Sequence, residues 1–64
     1  MIRPGRYKHH KGGVYVVVCT ALDDTTKDIV VVYYNETHGT YYVRSMIDFT
    51  MKLGDKPRFE FIDG

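Results

Sequence analysis

Two valine-rich runs decide the fold: residues 14–21 read VYVVVCTA, and residues 28–34 read DIVVVYY. β-Branched and aromatic residues are enriched in strands, so both runs predict strands. The segment between them, residues 22–27, reads LDDTTK and has the polar composition of a turn. A short polar connection between two such runs predicts an antiparallel hairpin.

Shorter strands are predicted on both sides of this hairpin, at residues 5–10, 40–44, 50–53 and 58–62, with glycine-containing turns between them. Ser45 and Asp48 have the spacing of a capping box, which predicts one helical turn through about Phe49. No segment has a sustained helical period. The pattern therefore predicts a single small, mainly β domain over residues 1–64. We expect an SH3-like barrel or a strongly bent antiparallel sheet of five to six strands.

Length and charge exclude several classes of function. A chain of 64 residues has no room for a deep enzyme cleft between two domains. Nine Lys and Arg residues against eight Asp and Glu residues give a net charge of +1, which argues against charge-driven binding to duplex nucleic acid. We expect no membrane partner, because no apolar stretch reaches about 18 residues. One cysteine and the lack of a signal-peptide pattern predict a cytoplasmic protein.

Both faces of the central hairpin are apolar. Alternation puts Val14, Val16, Val18 and Thr20 on one face of the first run, and Tyr15, Val17, Cys19 and Ala21 on the other. This placement predicts a buried, inert thiol at Cys19. A chain this small has little material to cover both faces, so we expect a homo-oligomer, most simply a dimer. The alternative is a curled sheet that the rest of the chain covers.

The titratable residues do not form a recognisable catalytic or metal-binding pattern. His9 and His10 are neighbours in a strand and point to opposite faces, and His38 lies in a later turn. A structural zinc site needs about four ligands at suitable spacing, and the chain has one cysteine. We therefore predict no catalytic residues, no metal and no cofactor, and a protein that is not an enzyme.

Two clusters could bind a ligand. Residues 6–13 read RYKHHKGG, and the glycine turn with Lys11 could hold an anion through open backbone N–H groups; the alternative is a solvated edge strand whose lysines block pairing. The second cluster joins Arg44 to paired tyrosines whose rings could stack on a flat heterocycle. Tyr33 and Tyr42 are assigned to the core, whereas Tyr34 and Tyr41 could serve either role.

Several blocks resemble one small family of bacteria and their phages, domain of unknown function 1653. They are PGRYKHHKGGVY at residues 4–15, VVY at 31–33, YVRS at 42–45, Phe49, and PRF at 57–59. The match runs nearly end to end. The chain departs from the family pattern at Tyr42, where the family has Trp, and at Ser45, where it has Pro. The resemblance implies the size of the fold and the residues worth testing, but no activity.

The family pattern is polar or glycine at five positions, and we take these as candidate ligand-binding residues: Tyr7, His9, Lys11, Gly12 and Arg44. We add the two undecided tyrosines, Tyr34 and Tyr41. Two cations, an imidazole and an aromatic ring suit a small anionic ligand. The leading hypothesis is a non-enzymatic module that binds a nucleotide-like molecule near a subunit interface. In a phage, such a module would act by sequestering a host nucleotide signal. One alternative is an adaptor that binds an extended peptide through an aromatic groove of Tyr34, Tyr41 and Phe61. Another is a binder of single-stranded nucleic acid.

Overall fold

A computed structural model describes residues 2–64 and contains seven strands and one short helix. The elements are β1 (Gly5–His9), β2 (Val14–Leu22), β3 (Ile29–Asn35), β4 (Tyr41–Ser45), α1 (Met46–Phe49), β5 (Lys52–Leu53), β6 (Lys56–Pro57) and β7 (Phe59–Asp63). The predicted mainly β class is confirmed, and the central hairpin is β2 and β3.

Five strands form one antiparallel sheet in the order β4-β3-β2-β1-β7, and β5 and β6 form a separate small hairpin. The last strand therefore returns to pair with the first. The sheet does not close, since β4 and β7 remain its two edges, so the structure is the bent sheet rather than the barrel. Within residues 2–64, no helix has the length and apolar character needed to cross a membrane.

The core lies on one face of this sheet, called here the inner face. Its buried residues are Tyr7, Val17, Val31, Tyr33, Phe49 and Phe59. The helical turn α1 covers the face, and the Phe49 ring stacks on the Phe59 ring with centroids 4.1 Å apart and planes 2° apart. Ser45 caps the turn as predicted, because its Oγ accepts a hydrogen bond from the Asp48 N–H at 3.1 Å.

A β-bulge in β2 changes which residues face the core. Val17 lies opposite Tyr33, but the pairing shifts before Cys19, so that Thr20 lies opposite Val31. The extra residue, Val18, reverses the alternation after this point. Thr20 therefore shares the inner face with Val17, and the prediction of a buried thiol is wrong: Cys19 is exposed.

The opposite side of the sheet, called here the outer face, is apolar across β2, β3 and β4 and charged across β1 and β7. Register and burial place these residues on its three strands β2, β3 and β4: Val16, Cys19, Val30, Val32, Tyr34, Tyr41 and Val43. Tyr41 is 64% exposed and Val43 is 67% exposed. None of the described residues packs over these two side chains.

The stacking of α1 on the sheet leads to a stability prediction. Phe49→Ala removes a ring that is 1% exposed, and we expect a loss of about 3–5 kcal/mol in the free energy of unfolding. Phe49→Leu, which keeps part of the contact, should lose about 1–2 kcal/mol. Urea unfolding followed by circular dichroism measures both.

Ile47 in the same turn is 78% exposed and provides the matched control. Ile47→Ala should change the free energy of unfolding by less than about 0.5 kcal/mol. Equal losses for Phe49→Leu and Ile47→Ala would show that α1 does not stabilise the sheet.

Candidate functional site

The inner face carries a small open cleft where the core meets solvent. Its volume is about 160 Å³, and it is lined by His9, Tyr15, Tyr33, Tyr42, Arg44 and Phe59. We call this the aromatic cleft. All five strands of the sheet contribute to it, because each presents alternate residues to the same face.

Strand register brings the tyrosines of the cleft together. Tyr42 of β4 lies opposite Tyr33 of β3, and their rings stack with centroids 5.6 Å apart and an interplanar angle of 29°. The Tyr15 ring meets Tyr33 edge-on at 5.7 Å. On the other side, the His9 ring meets Phe59 edge-on at 4.8 Å. The cleft thus has aromatic walls whose positions are set by the core beneath them.

Arg44 supplies the charge of the cleft. Its Nε donates to the Tyr33 hydroxyl at 3.3 Å, and its Nη1 donates to Asp48 at 3.0 Å. These contacts hold the pKa of the Arg44 guanidinium above its ordinary value. Since a guanidinium has five N–H donors, several remain for a ligand. The side chain is 30% exposed and can reach one.

One carboxylate interacts with two guanidinium groups beside the cleft. Asp48 accepts from Arg44, and its second carboxylate oxygen lies 3.8 Å from the Arg58 guanidinium. The Arg58 Nε also donates to the Asp48 carbonyl at 3.2 Å. Two arginines against one aspartate leave an excess of one positive charge, which favours an anion.

His9 is held neutral and oriented. Its Nδ1 accepts a hydrogen bond from the Lys11 backbone N–H at 3.1 Å, so the neutral ring carries its proton on Nε2. Burial lowers the pKa of His9 from its ordinary value, and its electrostatic interactions with His10, Arg44, Arg58 and Lys11 lower it further. At neutral pH the imidazole therefore offers a donor to the cleft but no charge.

The candidate residues do not all meet at one place. His9 and Arg44 both line the aromatic cleft. Tyr7 is 6% exposed, and its hydroxyl donates to the Arg3 carbonyl at 2.7 Å, so it belongs to the core. Tyr34 and Tyr41 pair with each other on the outer face, with ring centroids 5.1 Å apart. A single site on the inner face cannot include Tyr34 and Tyr41 together with His9 and Arg44.

The glycine turn also differs from the expected anion cradle. The Lys11 N–H is bonded to the His9 ring, and the Gly12 N–H is bonded to the His9 carbonyl at 2.8 Å. These two donors are already used within the turn. Gly12 has a φ of 101°, so its role is to permit this turn conformation.

Arg6 is also engaged, on the outer face. It bonds Glu36 at 2.7 Å and Asp63 at 2.9 Å, which neutralises part of the basic segment.

The structure adds residues that the sequence analysis missed. Tyr33 is in the core as predicted, but the prediction for Tyr42 is wrong, because it is 43% exposed and forms one wall of the cleft. The sequence indicates Asp48, the partner of Arg44, only as part of a helix cap. The i+2 spacing of Tyr42 and Arg44 could have indicated a shared face. Nothing in the sequence indicated that Tyr15 and Phe59 would join them.

Metal ligation has no support in the described part of the chain. Residues 2–64 contain no group of three His, Cys, Asp or Glu side chains positioned to hold a metal ion.

Residues 5–61 match the protein family of unknown function DUF1653. The chain belongs to the DUF1653 family. It is also similar to the crystal structure of a DUF1653 protein from Bordetella bronchiseptica, with a TM-score of 0.83 and 29% identity, over 95% of this chain and 87% of the other. No curated protein matches the chain. The resemblance seen in the sequence is thereby confirmed.

The environment of His9 in this DUF1653 chain leads to a prediction about pH. We expect the pKa of His9, measured by NMR titration of the ring protons, to lie below 6.5. Arg44→Gln should raise this pKa only part of the way back, because burial is the largest cause of the shift. A pKa at or above 6.5 would contradict the described environment.

The same shift links folding to pH. A histidine whose pKa is lower in the folded state favours folding above the pKa of the unfolded chain, and this contribution is lost as the pH falls through the folded pKa. The free energy of unfolding should therefore decrease as the pH falls below about 6.5, and His9→Gln should weaken that dependence.

Proposed function

We propose that this DUF1653 chain is a non-enzymatic binding module for a small, flat, anionic ligand of the nucleotide type. The observation behind the proposal is the position of Arg44: a guanidinium with free donors lies among aromatic rings, in surroundings with excess positive charge. Aromatic side chains stack on nucleobases, and arginine donates to the acceptor edges of bases and to phosphates.

The size of the aromatic cleft supports a single ring system. Drug-sized ligands occupy pockets of about 300–1,000 Å³, whereas this cleft measures about 160 Å³. A ligand would therefore place one ring in the cleft and leave its remaining groups outside.

The groups around the cleft support binding without turnover. His9 Nδ1 is occupied by a backbone donor, and Asp48 is bound by two arginines, so neither is free as a general base. The thiol of Cys19 is on the outer face. Among residues 2–64, no side chain that lines the cleft is a nucleophile held beside a general base.

A binder that does not turn over its ligand removes it from solution in proportion to the binder's own concentration. In a phage, such a module would sequester a host nucleotide signal. The single cysteine is typical of a reducing compartment and supports a cytoplasmic location for this activity.

Calorimetric titration with purine and pyrimidine nucleotides tests the ligand class. We expect at least one nucleotide to bind. Because the protein is proposed not to turn it over, that nucleotide should be recovered chemically unchanged after incubation with the protein. Tyr42→Ala removes a stacking wall and Arg44→Gln removes a charged donor, and each should weaken binding about tenfold or more.

Tyr41→Ala is the matched control, because Tyr41 precedes Tyr42 in β4 but lies on the outer face. It should leave the affinity unchanged, and thermal melts should show that all three variants fold. If no nucleotide binds, or if Tyr41→Ala weakens binding as much as Tyr42→Ala, the proposal fails.

The adaptor alternative loses the groove on which it depended. Phe61 packs edge-on against the core residue Tyr7 at 5.3 Å, on the inner face of β7. Tyr34 and Tyr41 lie on the outer face near the opposite edge of the sheet. The three side chains cannot line one groove, so an adaptor would have to use the outer face.

We infer that a second copy of the chain covers this outer face. The chain exposes 4531 Å², somewhat more than the about 4,200 Å² expected of a folded monomer of this mass. The outer-face side chains of β2, β3 and β4 are uncharged, so two copies can meet about a two-fold axis without charge repulsion.

The available area predicts a weak dimer. The three strands whose outer-face side chains are uncharged, each about six residues long, offer a face of about 300 Å² by the usual strand spacings, which is less than half of what one partner buries in a standard interface. Since the aromatic cleft is on the other face, dimerisation leaves it open.

Sedimentation equilibrium over a range of concentrations tests the dimer. We expect concentration-dependent dimerisation that Val43→Glu abolishes, since it places a charge on the outer face. Ile47→Glu introduces the same charge in α1, and it should leave the dimer intact. A monomer at every concentration would contradict the inference.

A further inference from the structure

Strand β4 forms an open edge of the sheet. The Asn35 N–H donates to the Thr40 carbonyl at 3.0 Å, which is a bond between β3 and the residue that precedes β4. Backbone groups of successive residues in a strand point to opposite sides, so those of Tyr42 also point to β3, whereas those of Tyr41 and Val43 point away from it. In the part of the chain that the structure describes, β3 is the only strand that pairs with β4. The outward N–H and C=O groups therefore form an open row.

The two edges of the sheet differ. The other edge, β7, carries the acids Glu60 and Asp63, and its register with β1 shifts between Arg6 and Tyr7. Charged side chains and bulges are devices that keep an edge strand from pairing with another chain. Strand β4 reads YYVRS, without lysine or proline, and it pairs with β3 without a register shift. Of the two edges, β4 is the one suited to pair with a further strand.

The sequence of β4 complements itself in an antiparallel pair. A two-fold axis at its middle residue, Val43, lets all five residues pair with those of a second copy. Val43 then lies opposite Val43 and exchanges two backbone hydrogen bonds with it, and Tyr42 lies opposite Arg44 of the second copy. Arg44 is the one charged residue of this strand, so no like charges meet. An arginine beside an aromatic ring is favourable.

This pairing brings a residue of the second copy to the aromatic cleft. Tyr42 and Arg44 are inner-face residues whose backbone groups point to β3, so across the axis they form a pair without backbone hydrogen bonds. The Cα atoms of such a pair are only about 4.5 Å apart, and the side chains lie close together. Tyr42 is 43% exposed, and its ring stacks on Tyr33 on the side of β3. The second guanidinium would lie on the opposite side of Tyr42.

We propose that two copies pair through β4 about a two-fold axis at Val43, and that Arg44 of each copy contributes to the aromatic cleft of the other. The part that concerns the ligand rests on the proposed function and deepens it, because an anion in the cleft would then meet two guanidinium groups. The contact is separate from the outer-face contact inferred above. It also couples binding to association, since a ligand that prefers the pair stabilises the pair.

Charge substitutions at Tyr42 test the pairing without a ligand. Tyr42→Lys places an ammonium opposite Arg44 of the second copy, whereas Tyr42→Glu places a carboxylate there. We expect Tyr42→Glu to associate at least about tenfold more tightly than Tyr42→Lys, because each dimer contains this cross-strand pair twice. Sedimentation equilibrium measures both dissociation constants, and thermal melts should show that both variants fold.

The two variants control each other, because both lose the same ring from the inner face and neither changes the outer face. Equal association of Tyr42→Lys and Tyr42→Glu would overturn the pairing through β4.

Amide hydrogen exchange measured by NMR locates the contact. On the natural chain, we expect the Val43 amide to exchange at least about tenfold more slowly at high than at low protein concentration, because pairing gives it an acceptor. The Tyr42 amide points to β3 in both states and is the internal control, so it should change much less. The outer-face contact leaves the β4 edge in water and would not produce this difference. A Val43 amide that exchanges rapidly at every concentration would overturn the inference and leave the edge to a strand of another protein.

Titration with purine nucleoside 5′-monophosphates, at protein concentrations below and above the midpoint of association, tests the contribution of Arg44. We expect binding to be at least about tenfold tighter above the midpoint. Equal affinity at both concentrations would show that the second copy adds nothing to the cleft, and would overturn that part of the inference while the proposed function stands. If no nucleotide binds and the Val43 amide is protected, the proposed function fails and only the pairing remains.

Discussion

The structure depends on the stacking of Phe49 on Phe59. Only six of the residues described, 2–64, are buried, and the other three aromatic ones all meet the Phe49 ring: Tyr7, Tyr33 and Phe59. Each such pair is worth about 0.5–1.5 kcal/mol beyond the area it buries. Without the turn that carries Phe49, the inner face of the sheet would lie open to water. The bent sheet is stable because one helical turn closes over it.

The same aromatic network forms the walls of the candidate site. Phe59 meets Tyr15 at 5.8 Å and His9 at 4.8 Å, and Tyr33 stacks on Tyr42. Core and cleft are therefore one continuous set of rings, buried at one end and open at the other. The packing that stabilises the fold also fixes the spacing of the cleft walls, so a ligand would meet a site that is already formed. Changes in the core are expected to alter binding as well as stability.

The overall charge of +1 conceals an uneven distribution. On the outer face, Arg6 is paired with Glu36 and Asp63, which come from a turn and from the last strand. Around the aromatic cleft, Asp48 is shared between Arg44 and Arg58. The first arrangement neutralises a cation, whereas the second leaves an excess. A nearly neutral protein can thus present a local site for an anion.

The sequence by itself determined the strands, the hairpin and the capped helical turn, because these follow from local propensity, turn chemistry and the spacing of Ser45 and Asp48. It also indicated His9 and Arg44 as candidates, since the family pattern that the chain resembles is polar at both positions. The faces were harder to assign. One bulge at Val18 moved Cys19 to the surface, and no local pattern signals an extra residue in a valine run.

Only the tertiary structure decided which residues share a cleft. Tyr15, Tyr42 and Phe59 are far apart in the chain, and they meet because the register of the five strands and the return of β7 to β1 bring them together. The same register sends Tyr41 and Tyr34 to the other face. Composition and spacing describe each strand separately, whereas a site on a sheet depends on the pairing of all its strands.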